Sequence, residues 1–356
     1  MKINRRTTLA ALAAIGVLSF GQAATAQEKT DFKVAWSIYV GWMPWGHAAD
    51  TGIVDKWADK YGISIEVTQF NDYVESINQY TAGGYDAVTL TNMDGLSIPS
   101  AGGVDTTAVI VGDFSDGNDA VFIKDGTALA DIAGRDVNLV EFSVSHYLLA
   151  RALDSVGMSE QDVKVINTAD PDMVGAFQTD DVTAMVTWNP MVSEIETLPG
   201  AVKVFDSSQI EGEIIDLMVA NTDVLADNPK FGQALAGIWY ETMTLMTSDT
   251  PEGAAARAAM GAASGTDQAG FEAQMAATKL FSDPAEAVAF TASSDLAGTM
   301  NLVRAFLFDK GLLTPGATSE DAIGIALPDG TILGDTDNVK FRFDTTFMQM
   351  AADGAL

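Results

Sequence analysis

Three acidic side chains stand at positions where an unpaired carboxylate is costly. Asp216 interrupts the apolar run at residues 214–219, and Asp94 and Glu141 come shortly after predicted strands. A carboxylate in apolar surroundings is unfavourable by several kcal/mol unless it is paired or hydrogen-bonded. No lysine or arginine stands beside any of the three in the sequence. A bound cation is therefore a plausible partner for them.

Aromatic and amide side chains follow the same predicted strand ends. Trp42, Trp45 and Trp188 offer flat π faces, Asn92 offers a directional amide, and Tyr39 could close a pocket from the end of the first strand. A planar guanidinium suits this inventory, because its N–H groups fork onto carboxylates and its face stacks on indole. The predicted ligand-binding residues are Tyr39, Trp42, Trp45, Asn92, Asp94, Glu141, Trp188 and Asp216.

Other small solutes fit these residues less well. Anion sites use arginine, lysine or the amides of a helix N terminus, and the candidate loops contain no basic residue, which argues against a sulfonate or nitrate. Urea is intermediate, because it needs both donors and acceptors and gains little from several carboxylates. The sequence leaves guanidinium, methylguanidine, urea and small amines open as ligands.

Each candidate also has a purely structural interpretation. The tryptophans of the first helix could pack in the core, Asp94 could cap a helix, and Asn92 could shape a turn. Glu141 could be a solvated loop carboxylate, and Asp216 could make a structural hydrogen bond between lobes. The sequence does not decide which carboxylates contact a ligand directly.

The elements that must position these side chains alternate between strand and helix. Apolar β-branched runs predict strands at residues 32–40, 63–70, 86–90 and 109–113, with helices at 45–60 and 72–80 between them. The same alternation is predicted further along the chain, with strands at 120–124, 136–140, 163–167 and 184–187 and helices at 145–156 and 172–178. Such α/β units place ligands at the carboxyl ends of their strands.

Two polar crossings divide the chain into two Rossmann-like lobes. The predicted first lobe comprises residues 27–118 and 214–356, including a C-terminal helical shell, and the second comprises residues 119–213. Two crossings between the lobes make a hinge. A ligand would then lie in the crevice between the lobes.

Residues 1–26 are typical of an export signal. Lys2, Arg5 and Arg6 precede an apolar stretch at 9–20, and a small-residue pattern ends at Ala26. These features predict cleavage after Ala26 and a periplasmic location. The arginine pair leaves twin-arginine export open beside ordinary secretion.

Composition excludes several classes of function. The chain of 356 residues has 49 Asp plus Glu against 19 Lys plus Arg, a formal net charge of −30. That charge disfavours binding to nucleic acid or to anionic membranes. No cysteine and only two histidines leave no thiolate chemistry and little for a metal cage. We therefore predict no metal and no cofactor.

Several motifs in combination resemble one protein family. They are YVGWMPW at residues 39–45, GGYDAV at 83–88, SHYLLARAL at 145–153 and DDVTAMVTWNP at 180–190. Together they resemble the substrate-binding proteins of ABC importers for taurine, aliphatic sulfonates and nitrate. WMPWG at 42–46, LTNMD at 90–94 and TWNP at 187–190 look more like the branch encoded beside urea carboxylase, which is associated with urea and guanidine.

The resemblance implies a type II periplasmic-binding-protein fold and a monomer that captures its solute between two lobes. A permease with a separate ATPase would be its partner. Pyrimidine-synthase relatives of the same fold depend on a cysteine-rich motif, which this sequence lacks, so we predict no enzyme activity. A hydrolase using Asp94 and Glu141 and a sensor or chemoreceptor adaptor are the remaining alternatives.

Overall fold

A computed structural model describes residues 28–356, so the predicted export signal lies outside the described residues. The strands, in chain order, are β1 Asp31–Ser37, β2 Ser64–Phe70, β3 Ala87–Thr91, β4 Thr106–Ser115, β5 Asp119–Ile123, β6 Asp136–Leu139, β7 Lys164–Asn167, β8 Ala184–Trp188, β9 Val202–Asp206, β10 Ile215–Asn221, β11 Thr278–Leu280, β12 Gly324–Ala326, β13 Ile332–Leu333 and β14 Val339–Phe343.

Helices connect the strands and form most of the chain after β10. They are α1 Met43–Asp50, α2 Ile53–Tyr61, α3 Tyr73–Thr81, α4 Asn92–Gly95, α5 Val144–Ser155, α6 Met173–Phe177, α7 Met191–Ile195, α8 Thr222–Asp227, α9 Lys230–Met246, α10 Pro251–Ala263, α11 Gln268–Ala276, α12 Pro284–Thr291, α13 Ser294–Asp309 and α14 Thr346–Ala352. A π-helical turn at Leu96–Ser100 and short 3-10 turns complete the set.

The strands form two sheets, and five adjacent strands of the first sheet have the same order as the five strands of the second. The first sheet runs β13-β12-β14-β4-β10-β3-β1-β2 with β11 beside β4, and the second runs β7-β6-β8-β5-β9. Strand β10 is antiparallel to β3 and β4 on either side of it, and β5 is antiparallel to β8 and β9 on either side of it. The parallel pairs β1–β2, β1–β3, β6–β7 and β6–β8 confirm the predicted α/β class.

The inserted strands bring the two sheets together. Three residues separate the end of β4 from the start of β5, so the first crossing from one sheet to the other is short. The return passes from β9 through a 3-10 turn at Ser207–Ile210 into β10. Residues next to these crossings therefore lie close to both sheets.

The first predicted helix is divided in the structure. Residues 45–60 were expected to form one helix, but α1 ends at Asp50 and α2 begins at Ile53. Gly52 between them has φ +78°, a left-handed conformation that ends a helix and that glycine adopts without steric cost. The first strand also ends at Ser37, earlier than expected, and Pro44 lies in the first turn of α1. The predicted helix is therefore two short helices, α1 and α2.

Burial is continuous through the strands nearest the crevice. Every residue of β3, β4, β5 and β8 is buried. Strands whose two faces are both covered are rich in apolar residues. Among residues 28–356, no helix has the length and apolar character needed to cross a membrane.

Candidate ligand-binding cavity

A cavity with an empty volume of about 270 Å³ lies between the two sheets. The residues that line it are Tyr39, Trp42, Tyr73, Thr91, Asp119, Val144, Trp188, Ile214 and Asp216. Strands β3 and β10 of the first sheet contribute to it, as do β5 and β8 of the second sheet. It is a small, largely aromatic and acidic cavity bounded by side chains from both sheets.

Aromatic rings form a connected wall around this cavity. Tyr39 meets Trp42 edge to face at 5.1 Å between ring centroids, and Trp42 lies 5.4 Å from Tyr73. Tyr73 in turn meets Trp188 edge to face at 5.7 Å, which joins the wall across the two sheets. All four side chains are buried. The wall presents π faces and excludes water, both of which favour a desolvated cation.

Two buried acids sit side by side at the floor of the cavity. Asp216 on β10 pairs with Asp113 on β4 in the antiparallel register, and Tyr39 Oη donates a hydrogen bond to Asp113 Oδ1 at 2.9 Å. Burial raises the pKa of both carboxyl groups, and the charge of Asp113 raises that of Asp216 further. Two adjacent carboxyls in a buried site cannot both ionise easily, so the pair shares a proton.

A glycine permits this arrangement. A β-carbon on Gly41 would lie 2.3 Å from Asp113 Oδ2 and 2.6 Å from a ring carbon of Tyr39. A side chain there would force Asp113, Tyr39 or the turn to move, so glycine allows the turn before α1 to approach the acid pair closely.

Asp119 approaches from the other sheet. It is the first residue of β5, and Ser115 Oγ donates a hydrogen bond to Asp119 Oδ2 at 2.6 Å. Ser115 is also hydrogen-bonded to Ser207 at 2.7 Å, which ties the two crossings together. Burial raises the pKa of Asp119 to about 7, and the nearby Asp94 contributes to the rise.

Asp94 lies behind the wall formed by Tyr73 and Thr91. Tyr73 Oη and Thr91 Oγ1 both donate hydrogen bonds to Asp94 Oδ2, at 2.7 and 2.9 Å. Thr91 also caps α4. Burial raises the pKa of Asp94 to about 6, while the hydrogen bonds from Tyr73 and Thr91 and the amide of Val144 limit the rise.

These four aspartates have no basic partner in the part of the chain that the structure describes. No lysine, arginine or histidine nitrogen of residues 28–356 lies within 4.0 Å of their carboxylate oxygens. All four are buried. Such a group is stabilised by protonation or by a bound cation.

The predicted ligand-binding residues fall into two groups. Tyr39, Trp42, Trp188 and Asp216 line the cavity, and Asp94 stands one layer behind it. Trp45 is buried on the far side of Trp42, where it stacks on Trp239 at 5.7 Å. It lines a smaller adjoining cavity of about 180 Å³ of empty volume that Trp42 and Asp216 also border.

Asn92 and Glu141 are not among the residues that line either cavity. Asn92 accepts a hydrogen bond from the amide of Ile215 at 3.1 Å and donates to the carbonyl of Glu213 at 3.1 Å, so it fixes the start of β10. Glu141 is half-buried, and its amide donates to Asn167 Oδ1 at 3.0 Å.

Six residues of this site were not among the predicted ligand-binding residues. They are Tyr73, Thr91, Asp113, Asp119, Val144 and Ile214. The sequence did contain one indication for Asp113. This acid stands at the end of the apolar strand predicted at residues 109–113, much as Asp216 interrupts an apolar run. Among residues 28–356, no group of three or more histidine, aspartate or glutamate side chains is arranged to hold a metal ion.

Two α/β sheets around a closed aromatic and acidic cavity define a two-lobe protein of the type II periplasmic-binding-protein fold, and a solved structure supports that class. The alkanesulfonate-binding protein of Xanthomonas axonopodis pv. citri bound to MOPS has a similar fold, with a TM-score of 0.65 and 15% identity. The match covers 81% of this chain and 96% of that chain. Residues 34–263 match the NMT1-like family, and the chain belongs to that family.

Curated relatives match over a smaller part of the chain. A protein of Brucella abortus (strain 2308) named as a binding protein is 24% identical over 195 residues, which is 54% of this chain. The match spans 60% of the length of that relative. The taurine-binding periplasmic protein of Escherichia coli (strain K12) is 28% identical over 109 residues, 30% of this chain and 33% of the relative.

Proposed function

We propose that this protein is the extracytoplasmic solute-binding component of an ABC importer and that its solute is a small planar cation, guanidinium. It would be exported, work with a permease and a separate ATPase, and have no catalytic activity of its own. Membership of the NMT1-like family and the likeness to taurine- and alkanesulfonate-binding proteins support the transport role.

One observation carries the choice of a cation. Asp216 from the first sheet and Asp119 from the second face the same cavity, both buried and neither paired with a basic side chain of residues 28–356. A planar cation can donate hydrogen bonds to both carboxylates, and Trp42 and Trp188 supply faces for stacking. The cation would release the proton shared by Asp113 and Asp216.

Capture would couple to closure of the lobes. A ligand that contacts residues of both sheets binds the closed arrangement better than an open one, and only that difference shifts the equilibrium. The boundaries proposed for the lobes are residues 27–118 plus 214–356 and residues 119–213, which separate the strands of the two sheets. The closed shape would be the form that the permease recognises.

Calorimetric titration with guanidinium chloride, urea, taurine, methanesulfonate and nitrate tests the proposal. We expect heat of binding with guanidinium at millimolar concentration or below. Asp216→Asn should weaken that binding about tenfold or more, because a charge-assisted hydrogen bond contributes about 1.5 to 3 kcal/mol. Asp154→Asn, an exposed change on α5, serves as the matched control. Unchanged affinity in Asp216→Asn would reject the site.

A sulfonate is the second candidate solute, because two similar proteins are named for taurine and alkanesulfonate. The same titration separates the two, since a taurine or methanesulfonate signal without a guanidinium signal would favour the sulfonate. A sensor function is an alternative to transport for either solute. Capture of a receptor instead of a permease in a pull-down would support the sensor function.

A further inference from the structure

We propose that Asn118 is a positioning residue of the solute site: its side chain sets where Asp119 and Trp188 of the second sheet stand relative to the first sheet. The inference rests on the proposed function, because it explains how a residue behind the cavity shapes the binding of the solute. Asn118 immediately precedes β5, is fully buried and is not among the residues that line the cavity. Asp119 and Trp188 both line it.

The acceptor side of Asn118 is bound to the strand that carries Trp188. In the antiparallel β5–β8 ladder, Asp119 pairs with Trp188. One residue further on, the main-chain carbonyl of Asn118 accepts a hydrogen bond from the amide of Asn189 at 3.0 Å. Asn118 Oδ1 also accepts one from Asn189 Nδ2 at 2.6 Å. Asn189 belongs to the TWNP motif, and these two bonds fix the start of β5 to the end of β8, where both cavity residues lie.

The donor side of Asn118 is bound to the first sheet. Asn118 Nδ2 donates hydrogen bonds to the carbonyl of Ala277, at 2.7 Å, and to Thr278 Oγ1. The carbonyl of Ala277 also accepts a hydrogen bond from the amide of Asp116 at 3.0 Å. Ala277 directly follows α11, and Thr278 begins β11, which pairs with β4. A single amide side chain therefore joins the second sheet to the α11–β11 segment of the first sheet.

Two further side chains close this bridge into a ring of hydrogen bonds. Ser193 Oγ on α7 donates to Asn189 Oδ1 at 2.6 Å, and Gln274 Nε2 on α11 donates to Ser193 Oγ at 3.4 Å. The carbonyl of Gln274 accepts from Asn118 Nδ2 at 3.3 Å. Asn118, Asn189 and Gln274 are buried. Such a ring holds one geometry firmly, because breaking a bond in it leaves a buried polar group unsatisfied.

The ring has a direct consequence for the binding of a small planar cation. Such a solute makes few contacts, so its affinity depends on the exact placement of each contacting group. Loss of the bridge should loosen Asp119 and Trp188 on the second sheet and leave Asp216 on β10 in place. We therefore expect weaker binding of guanidinium. The ratio of guanidinium affinity to methylguanidinium affinity should also fall, because a looser cavity accommodates the larger ion more easily.

Asn118→Ala, titrated with guanidinium chloride and with methylguanidinium chloride, tests this expectation. Guanidinium affinity should fall about tenfold, and the affinity ratio about threefold, relative to wild type. Asn228→Ala is the matched control. Asn228 is also fully buried and donates to the carbonyl of Lys29 at 2.9 Å, but it lies between α8 and α9 and does not line the cavity. The control should keep the wild-type affinity and ratio. A wild-type affinity and ratio in Asn118→Ala would overturn the inference.

Fluorine NMR of fluorotryptophan-labelled protein without solute separates this inference from the proposed function. The resonance of Trp188, assigned by its loss in Trp188→Phe, should shift or broaden in Asn118→Ala and stay unchanged in Asn228→Ala. That result supports the inference even if wild type binds no guanidinium, an outcome that would reject only the proposed function. An unmoved Trp188 resonance in folded Asn118→Ala overturns the inference even if wild type binds guanidinium.

Ser193→Ala keeps the inference testable if Asn118→Ala does not fold. This change removes one hydroxyl at a half-buried position and leaves the bonds between Asn118 and Ala277 in place. Guanidinium affinity should fall about threefold, as expected for the loss of one hydrogen bond in the ring, and the Trp188 resonance should shift. Wild-type affinity together with an unmoved Trp188 resonance in Ser193→Ala would overturn the inference.

Discussion

At the scale of single residues, the molecule concentrates carboxyl groups where water is scarce. Asp94, Asp113, Asp119 and Asp216 are all buried, and burial raises the pKa of each. Some acids outside the cavity are paired, as Asp105 is with Arg342. Unpaired acids that cost stability in the empty protein are typical of a functional site.

This cost makes the stability of the unliganded protein depend on pH. Burial raises the pKa of Asp119 from 3.8 to about 7 in the folded state, so between about pH 4 and pH 7 the folded protein binds more protons than the unfolded chain. Stability contributed by this group is present at low pH and is lost as pH rises through 7, by up to about 4 kcal/mol. Thermal denaturation without ligand should give a higher midpoint at pH 5 than at pH 8.

Asp119→Asn isolates the contribution of this residue. The variant should lose less stability than wild type between pH 5 and pH 8, because the uncharged amide does not titrate. Asp154→Asn removes an exposed charge and should keep the wild-type dependence. Parallel pH profiles for Asp119→Asn and wild type would show that Asp119 does not carry the effect.

At the scale of elements, the turn into α1 and the β4–β10 pairing together build the floor of the cavity. Strand β10 is antiparallel to β3 and β4 and places Asp216 beside Asp113. The break at Gly52 lets α1 end early, and Trp42 and Trp45 at its start face the sheet. The position of the aromatic wall therefore depends on how α1 meets the sheet.

Gly41→Ala should disturb that junction. The added β-carbon would meet Asp113 Oδ2 at 2.3 Å, so Asp113 or the turn must move. We expect a loss of about 1 to 3 kcal/mol in the free energy of unfolding, typical of overpacking, together with weaker guanidinium binding. Gly298→Ala on α13 is the matched control, because nothing lies within 4 Å of its added β-carbon. Equal stability of the two variants would contradict the close approach.

At the scale of the whole molecule, contacts outside the cavity also join the two lobes. Glu160 of the second lobe binds Lys310, just after α13, at 2.7 Å and lies 3.1 Å from His146. Phe306 on α13 packs edge to face on Tyr147 of α5 at 5.3 Å. These contacts exist only in the closed arrangement if the lobes open about the crossings.

Glu160→Gln should shift the lobes toward the open form. Losing the ion pair with Lys310 weakens the closed state, and affinity for a ligand of that state falls with its population, by about threefold to tenfold. Small-angle scattering of the unliganded variant should show a larger radius of gyration, and titration should show weaker binding. Glu272→Gln breaks an ion pair with Arg257 within the C-terminal helices and should change neither quantity. An unchanged radius and affinity in Glu160→Gln would argue against a closing role.

Some of the site could be anticipated from sequence. Asp216 was identifiable because a carboxylate inside an apolar run needs a partner, and Trp42 and Trp188 because they follow strand ends. Asn92 and Glu141 met the same positional criterion, yet Asn92 anchors β10 and Glu141 lies away from the cavity lining. Position after a strand tells which edge a residue occupies, but not the direction of its side chain.

The sequence by itself determined the α/β alternation, the excess of acid and the absence of basic residues at the candidate loops, because periodicity and composition are local properties of the chain. Only the tertiary structure decided that Asp113 lies beside Asp216, that Asp119 faces the same cavity from the other sheet, and that Asp94 is held by Tyr73 and Thr91. The physical reason is that the register of β10 between β3 and β4, and the meeting of the two lobes, depend on contacts between residues far apart in sequence.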